Sequence, residues 1–163
     1  ILVPYLNKKL HFIAKKEHFE SITQSAWHKL WKRYITYIPV DREKGEGAIK
    51  AAVSYLKKGA IIVIYPEGTR SLTGKMQKGK TGVARLALWA RVPVVPVGIK
   101  GAFELMPKGK IVPKFKKNIV VNIGKPVYFG NYYKKEIKKQ TLRKLTDKIM
   151  VEIAKLSDQR CSP

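Results

Sequence analysis

The chain has 163 residues, 45% of them hydrophobic, and sets 34 lysines and arginines against 11 aspartates and glutamates for a formal net charge of +23. This fits one domain with a real core, and the charge calls for a polyanionic partner: nucleic acid, an anionic bilayer surface or a phosphorylated substrate. A single cysteine, Cys161, excludes an internal disulfide and fits a reducing compartment, and no apolar run approaches the roughly 20 residues that span a bilayer.

The chain opens without methionine, inside the apolar segment Ile1-Leu2-Val3-Pro4-Tyr5-Leu6, and carries no visible signal peptide, so an excerpt from a longer protein is expected. Leu10 to Ala14 is a candidate buried strand. A helix is expected from Glu17 to about Trp31, because Phe19, Ile22, Ala26 and Leu30 recur every three or four residues. Trp27, Trp31 and Tyr34 form a neighbouring stripe beside Lys29, Lys32 and Arg33. Such a stripe suits a helix packed on a sheet or one lying in a membrane interface.

Tyr34 to Val40 reads as a second strand, leading into Asp41-Arg42. A helix from about Glu46 to Lys58 follows, with Ile49, Ala52, Val53 and Leu56 on its apolar face. Lys57 and Lys58 favour its end through the dipole, and Gly59 is a good residue to terminate it. Ala60 to Ile64 is a continuous apolar run, expected to be a strand buried on both faces as in a parallel sheet. Pro66 ends its pairing, having no N–H to offer.

The turn that follows, Glu67-Gly68-Thr69-Arg70-Ser71, stands where open α/β sheets bind ligands, just past the carboxyl end of a strand. Gly68 permits a sharp bend, Thr69 and Ser71 offer hydroxyls, and Arg70 offers a fork for a phosphate. The plainer account is a turn held by a Glu67–Arg70 ion pair. Leu72 to Lys80 is a loop with Lys75, Lys78 and Lys80, before a helix from Thr81, its candidate N-cap, to Ala90. Three lysines at the positive end of a helix are either screened by solvent or offset by a bound anion.

Val92 to Ile99 is a further strand whose two prolines predict an entry and an irregularity. Gly101 to Asn118 reads as irregular and basic, Ile119 to Ile123 as a last strand, and Lys134 to Leu156 as a last helix with Leu142, Leu145, Ile149, Ile153 and Leu156 inward. No metal-ligand cluster and no internal repeat is visible in the sequence. Strands alternating with helices predict an α/β fold, a mostly parallel central sheet flanked by helices.

Tyr65-Pro66-Glu67-Gly68-Thr69-Arg70-Ser71 closely resembles the Phe-Pro-Glu-Gly-Thr-Arg-Ser block of the phospholipid/glycerol acyltransferases, the lysophosphatidic acid acyltransferases and their relatives. Phe12 to Phe19 resembles the family's strand and Lys-x-x-Phe entry, here Lys16 to Phe19. Ile38 to Arg42 resembles its second block, Val92 to Val97 its fourth, and Ile119 to Pro126 its closing strand and Gly-x-Pro. The blocks keep the family's order from about Leu10 to Val127.

The resemblance implies one acyltransferase-like domain over residues 1–163. It implies transfer of a fatty acyl group from acyl-CoA or acyl-carrier protein, as co-substrate and with no other cofactor, to a hydroxyl of lysophosphatidate or a related glycerol phosphate. It places Lys16, Arg42, Glu67, Gly68, Thr69 and Arg70 around the phosphorylated acceptor, with Arg42 and Arg70 as phosphate ligands. Pro96 would shape the pocket or the acyl-donor side. The partners implied are an anionic membrane surface, the glycerolipid acceptor and the acyl donor. The implied location is the cytoplasmic face of a membrane, peripheral or anchored through a preceding segment. All of this requires Arg42, Arg70 and Glu67 to converge on a cleft that grips a phosphomonoester.

One departure stands out. The family's chemistry rests on a His-x4-Asp block, yet Lys16, Thr23 and Arg33 stand five residues after His11, His18 and His28. That block is expected upstream of Ile1; the alternative is a natural product without it. The polypeptide as written is therefore expected to bind without turning over, since losing a general base removes roughly 10²–10⁴-fold of rate. His11 and His18, each beside a phenylalanine, read as packing or surface residues. Two other functions compete: a non-catalytic scaffold for anionic lipid, and a nucleic-acid-binding module, the latter motivated by charge alone and requiring exposed aromatics on a basic face.

Overall fold

The computed structural model describes residues 9–15, 34–40, 45–107, 114 and 118–160. It divides into two compact units, residues 1–64 and 65–163. The helix expected over 17–31 lies outside the described residues, as do 108–113 and 115–117 of the basic stretch.

The first unit holds a three-stranded parallel sheet in the order β2-β1-β3, with β1 Leu10–Lys15, β2 Ile35–Val40 and β3 Ile61–Val63. β1 is central: Leu10 aligns with Ile35 on one side and with Ile61 on the other. β-Branched and aromatic side chains suit these pleated positions. Pro39 is tolerated because β2 pairs only with β1 among the described residues, leaving its other edge unconstrained. Side chains of aligned residues share a face in a parallel sheet, so His11, Ile13 and Ile38 point the same way, and Ile38 is buried.

Helix α1, Gly45–Lys57, connects β2 to β3 and packs on both. Ala52 is fully buried, while Ile49, Val53 and Leu56 are half-buried. Its end is a Schellman cap. Gly59, at φ +80°, donates its N–H to the Leu56 carbonyl at 2.9 Å, and Ala60 donates to that of Tyr55 at 3.1 Å. Gly59 thus terminates the helix as its type and position in the sequence predict.

β3 departs from expectation. It is three residues long, pairs only with β1 among the described residues, and leaves Ile61 36% exposed and Ile62 and Val63 half-buried. An apolar run alone does not guarantee two covered faces. The ladder stops well before Pro66, which has no N–H for it.

In the second unit, helix α2, Gly82–Ala90, buries Val83, Ala84, Leu86, Ala87, Leu88 and Ala90. Thr81 stands at its start but does not cap it. Its backbone is helical (φ −68°, ψ −3°), so its hydroxyl makes no capping hydrogen bond. Arg91 ends the helix in the left-handed conformation. The strand expected over Val92–Ile99 is broken by its prolines: Val94 makes an isolated bridge with Val127, and β4, Val97–Lys100, starts only after Pro96. A one-turn helix α3, Ala102–Leu105, opens the stretch read as irregular.

β4 pairs antiparallel with β5, Val120–Ile123. After a 3-10 turn at Gly130–Tyr132, helix α4, Lys139–Ser157, packs on this pair and on α2. The helix begins five residues later than expected, because Lys134 to Lys138 offers only Ile137 to bury while the apolar repeat starts at Leu142. Leu142, Leu145, Thr146, Ile149, Met150 and Ala154 form its inner face.

Gly98 is required where β4 meets α4, since a Cβ there would overlap the Leu156 backbone and lie 2.6 Å from the Ser157 nitrogen. Asn122 Nδ2 donates to the Leu156 carbonyl at 2.7 Å, and Lys100 forms an ion pair with Asp158. Among the described residues no helix is long and apolar enough to cross a membrane.

Candidate functional site

Four of the expected site residues, Glu67 to Arg70, are brought together by a single turn at the start of the second unit. Pro66 takes the second position of a β-turn, where its fixed φ fits. Gly68, at φ +75°, closes the turn by donating its N–H to the Tyr65 carbonyl at 3.0 Å.

The Glu67–Arg70 ion pair is not formed among the described residues. Instead Glu67 is half-buried and its Oε2 accepts from the backbone N–H of Gln77 at 2.9 Å. Thr69 and Arg70 are exposed. Ser71 is engaged locally, its Oγ accepting from the Thr73 N–H at 3.2 Å, as short hydroxyl side chains do in turns.

The loop that follows folds back on this turn. Lys80 donates its N–H to the Pro66 carbonyl at 2.7 Å. Its side chain then crosses Gly68, with Cδ, Cε and Nζ each 3.1 Å from the place a Gly68 Cβ would occupy. The turn and the loop after it thus carry four cations, Arg70, Lys75, Lys78 and Lys80, and one carboxylate, Glu67, which is bonded to a backbone amide, and no ion pair forms between these groups among the described residues. The turn is therefore strongly electropositive, which suits an anion.

Helix α4 underlies the loop. Met76 is buried in a cluster with Met150 and Ala154. Gly79 is buried so closely that a Cβ would lie 2.7 Å from Met150 Cγ and Sδ. Arg143 Nη1 donates to the Gly79 carbonyl at 2.7 Å, while its Nε and Nη2 hold Asp147 at 3.0 and 2.5 Å. Gln159 Nε2 donates to the Gly74 carbonyl at 3.1 Å. The i,i+4 spacing of Arg143 and Asp147 is visible in the sequence; their link to a glycine 64 residues earlier is not.

Lys16 and Arg42 lie outside the described residues, and with them the expected convergence of Arg42 and Arg70. Pro96 is buried at the entry to β4, where its carbonyl accepts the Gly124 N–H at 2.9 Å and its ring sits against Gly124. These contacts belong to the β4–β5 pair. His11 is a packing residue, as its sequence context indicated: its ring lies 5.3 Å from that of Tyr55, and Nδ1, in the tautomer protonated there, donates to the Ile61 carbonyl at 3.3 Å. Among the described residues no group of three or more metal-ligating side chains assembles.

Comparison with known proteins agrees with this picture. A 1-acyl-sn-glycerol-3-phosphate acyltransferase of Bacillus subtilis (strain 168) is 36% identical over 114 residues, covering 68% of this chain and 53% of its own. A chloroplastic 1-acyl-sn-glycerol-3-phosphate acyltransferase of Brassica napus, BAT2, is 30% identical over 123 residues, covering 76% of this chain and 36% of its own. The chain thus spans from about a third to about half the length of the curated relatives it matches. Among solved structures, the 1-acyl-sn-glycerophosphate (LPA) acyltransferase PlsC from Thermotoga maritima superposes with a TM-score of 0.61 at 28% identity, over 94% of this chain and 58% of that one. Residues 1–100 match the family model described as Acyltransferase, and on that match, with the Glu67–Arg70 turn in place, the chain belongs to the acyltransferase family.

Proposed function

We propose that this chain is the acceptor-binding part of an enzyme that transfers a fatty acyl group from acyl-CoA or acyl-carrier protein to the free hydroxyl of lysophosphatidate, 1-acylglycerol 3-phosphate. The observation that carries the proposal is the electropositive Glu67–Arg70 turn, closed by Gly68 and crossed by Lys80. A phosphate needs a forked cation, and this turn offers one in Arg70, which is exposed. The names of the relatives support the same acceptor.

In the proposed site Arg70, with Arg42 and Lys16, holds the acceptor phosphate, and Glu67, Gly68 and Thr69 shape the turn around it. Pro96 shapes the pocket wall or the acyl-donor side. The acceptor oxygen attacks the thioester carbonyl carbon, the C–S bond breaks, and the hydroxyl proton passes through a general base to the departing thiolate. The base is the histidine of a His-x4-Asp pair, a pattern that none of this chain's three histidines completes. The lysine surplus docks the enzyme on the anionic cytoplasmic face of a membrane, worth roughly 1 kcal/mol per basic residue near the surface.

The test is acyl transfer by the full-length gene product to lysophosphatidate and to glycerol 3-phosphate, with acyl-CoA and acyl-carrier protein as donors. Esterification of lysophosphatidate is expected. If the full-length protein carries a His-x4-Asp pair and acylates neither acceptor, the proposal fails.

A further inference from the structure

We propose that Lys80 is a further phosphate-binding cation of the acceptor site, and that Arg143 on α4 is the positioning residue that holds it there. The proposal rests on the acceptor carrying a phosphomonoester, as argued above.

A phosphomonoester bears about −1.5 to −2 charges near neutral pH, more than one guanidinium offsets. Lys80 stands where a second cation from the same unit is needed. Its backbone is fixed to Pro66, next to Glu67, by the 2.7 Å bond from its N–H. Its stem lies across Gly68, so the ammonium sits beside the turn that displays Arg70, two residues on. Among the described residues that ammonium has no acidic partner, although Glu67 is nearby in the chain; the Glu67 carboxylate is engaged by Gln77 instead. Gly68 is thus needed twice, for its positive φ and because a side chain there would displace Lys80.

The place of Lys80 is set from outside the turn. The residue before it, Gly79, is pressed against Met150 and Thr146, and its carbonyl is held by Arg143 Nη1. Asp147 orients the same guanidinium through two further bonds. Only a planar fork makes all three bonds together, so lysine at 143 would keep the charge and lose the geometry.

The experiment measures, on the full-length protein, affinity or KM for lysophosphatidate, for uncharged monoacylglycerol and for acyl-CoA. The proteins compared are wild type, Lys80→Ala, Lys80→Gln, Lys80→Arg, Arg143→Lys and the double variant Lys80→Ala with Arg143→Lys. Lys80→Ala should weaken lysophosphatidate roughly 10- to 100-fold, the worth of a charged hydrogen bond, and leave the other two ligands unchanged. Lys80→Arg should restore most of the loss. Arg143→Lys should weaken lysophosphatidate alone, by less, and add nothing further once Lys80 is already alanine.

Lys80 is exposed, so Lys80→Ala should melt with the wild type; if it does not fold, Lys80→Gln, which keeps most of the stem, gives the same reading. Wild-type preference for lysophosphatidate over monoacylglycerol, retained in full by both neutral variants, overturns the role of Lys80. A lowered melting temperature in Arg143→Lys with unchanged lysophosphatidate affinity overturns the role of Arg143. A wild type that does not distinguish the two lipids sinks the phosphate-acceptor reading itself, independently of Lys80.

Discussion

The Oε2 atom of Glu67 accepts the backbone N–H of Gln77 at 2.9 Å, a bond across ten residues that closes the loop beside the candidate site. The glutamate is therefore a structural clasp, whatever else it touches when acceptor is bound. Replacing it with alanine leaves a part-buried amide without its partner and should cost about 1–3 kcal/mol. Glu67→Gln keeps a carbonyl acceptor and should cost under about 1 kcal/mol. Urea denaturation of the two variants checks this, and equal stability of Glu67→Ala and wild type would dismiss the clasp.

Arg70 gives the opposite pattern. It is exposed and makes no hydrogen bond or ion pair among the described residues. Arg70→Ala should leave stability within about 0.5 kcal/mol of wild type. It should weaken lysophosphatidate binding by about 1.5–3 kcal/mol, the worth of a charge-assisted hydrogen bond. Calorimetric titration alongside a thermal melt separates the two effects, and undiminished affinity would remove Arg70 from the site.

Two glycines should respond with opposite sign. At Gly98 a methyl group meets the backbone of α4 at Leu156 and Ser157, which cannot step aside as a flexible side chain would. Gly98→Ala should destabilise by about 1–3 kcal/mol or more. At Gly47, inside α1, nothing lies within 4 Å of an added Cβ. Gly47→Ala should stabilise by about 0.5–1 kcal/mol by restricting the unfolded chain. Chemical denaturation of both variants decides, and a loss of stability in Gly47→Ala would contradict the open space at that position.

Structure is legible in the sequence where one residue's chemistry dominates. Gly59 ends α1 because only glycine takes its positive φ cheaply, and the prolines at 93 and 96 hold back the start of β4 to Val97 because they cannot donate to a ladder. The turn of the Glu67 block was legible for the same reason. What escaped depends on partners far apart in the chain. The exposure of Ile61 on β3 depends on what packs over the sheet faces, which its own apolar run does not encode. Thr81 has the right side chain for a cap and the wrong backbone angles. The hold of Arg143 on Gly79 joins two segments whose spacing carries no periodic signal. Lys80 was visible as one of three lysines at the start of a helix, but its path over Gly68 required the folded loop.

Arg91 occupies a left-handed conformation, φ 55° and ψ 43°, at the end of α2. A side chain there costs about 1–2 kcal/mol relative to glycine, partly offset by the greater freedom of glycine in the unfolded chain. Arg91→Gly should therefore stabilise by about 0.5–1 kcal/mol, read as a shift in urea midpoint at constant slope. A lowered midpoint would show that the arginine side chain contributes more than its backbone costs.

The family match ends at residue 100, whereas the loop bearing Lys80 leans on a helix that begins at Lys139. A piece trimmed to the matched region would keep the whole Glu67 block and still strip the cover from Met76, Gly79 and the buried face of α2. Such a piece is expected to clump or be digested when expressed, because its cut end falls inside the second unit and leaves these apolar surfaces bare.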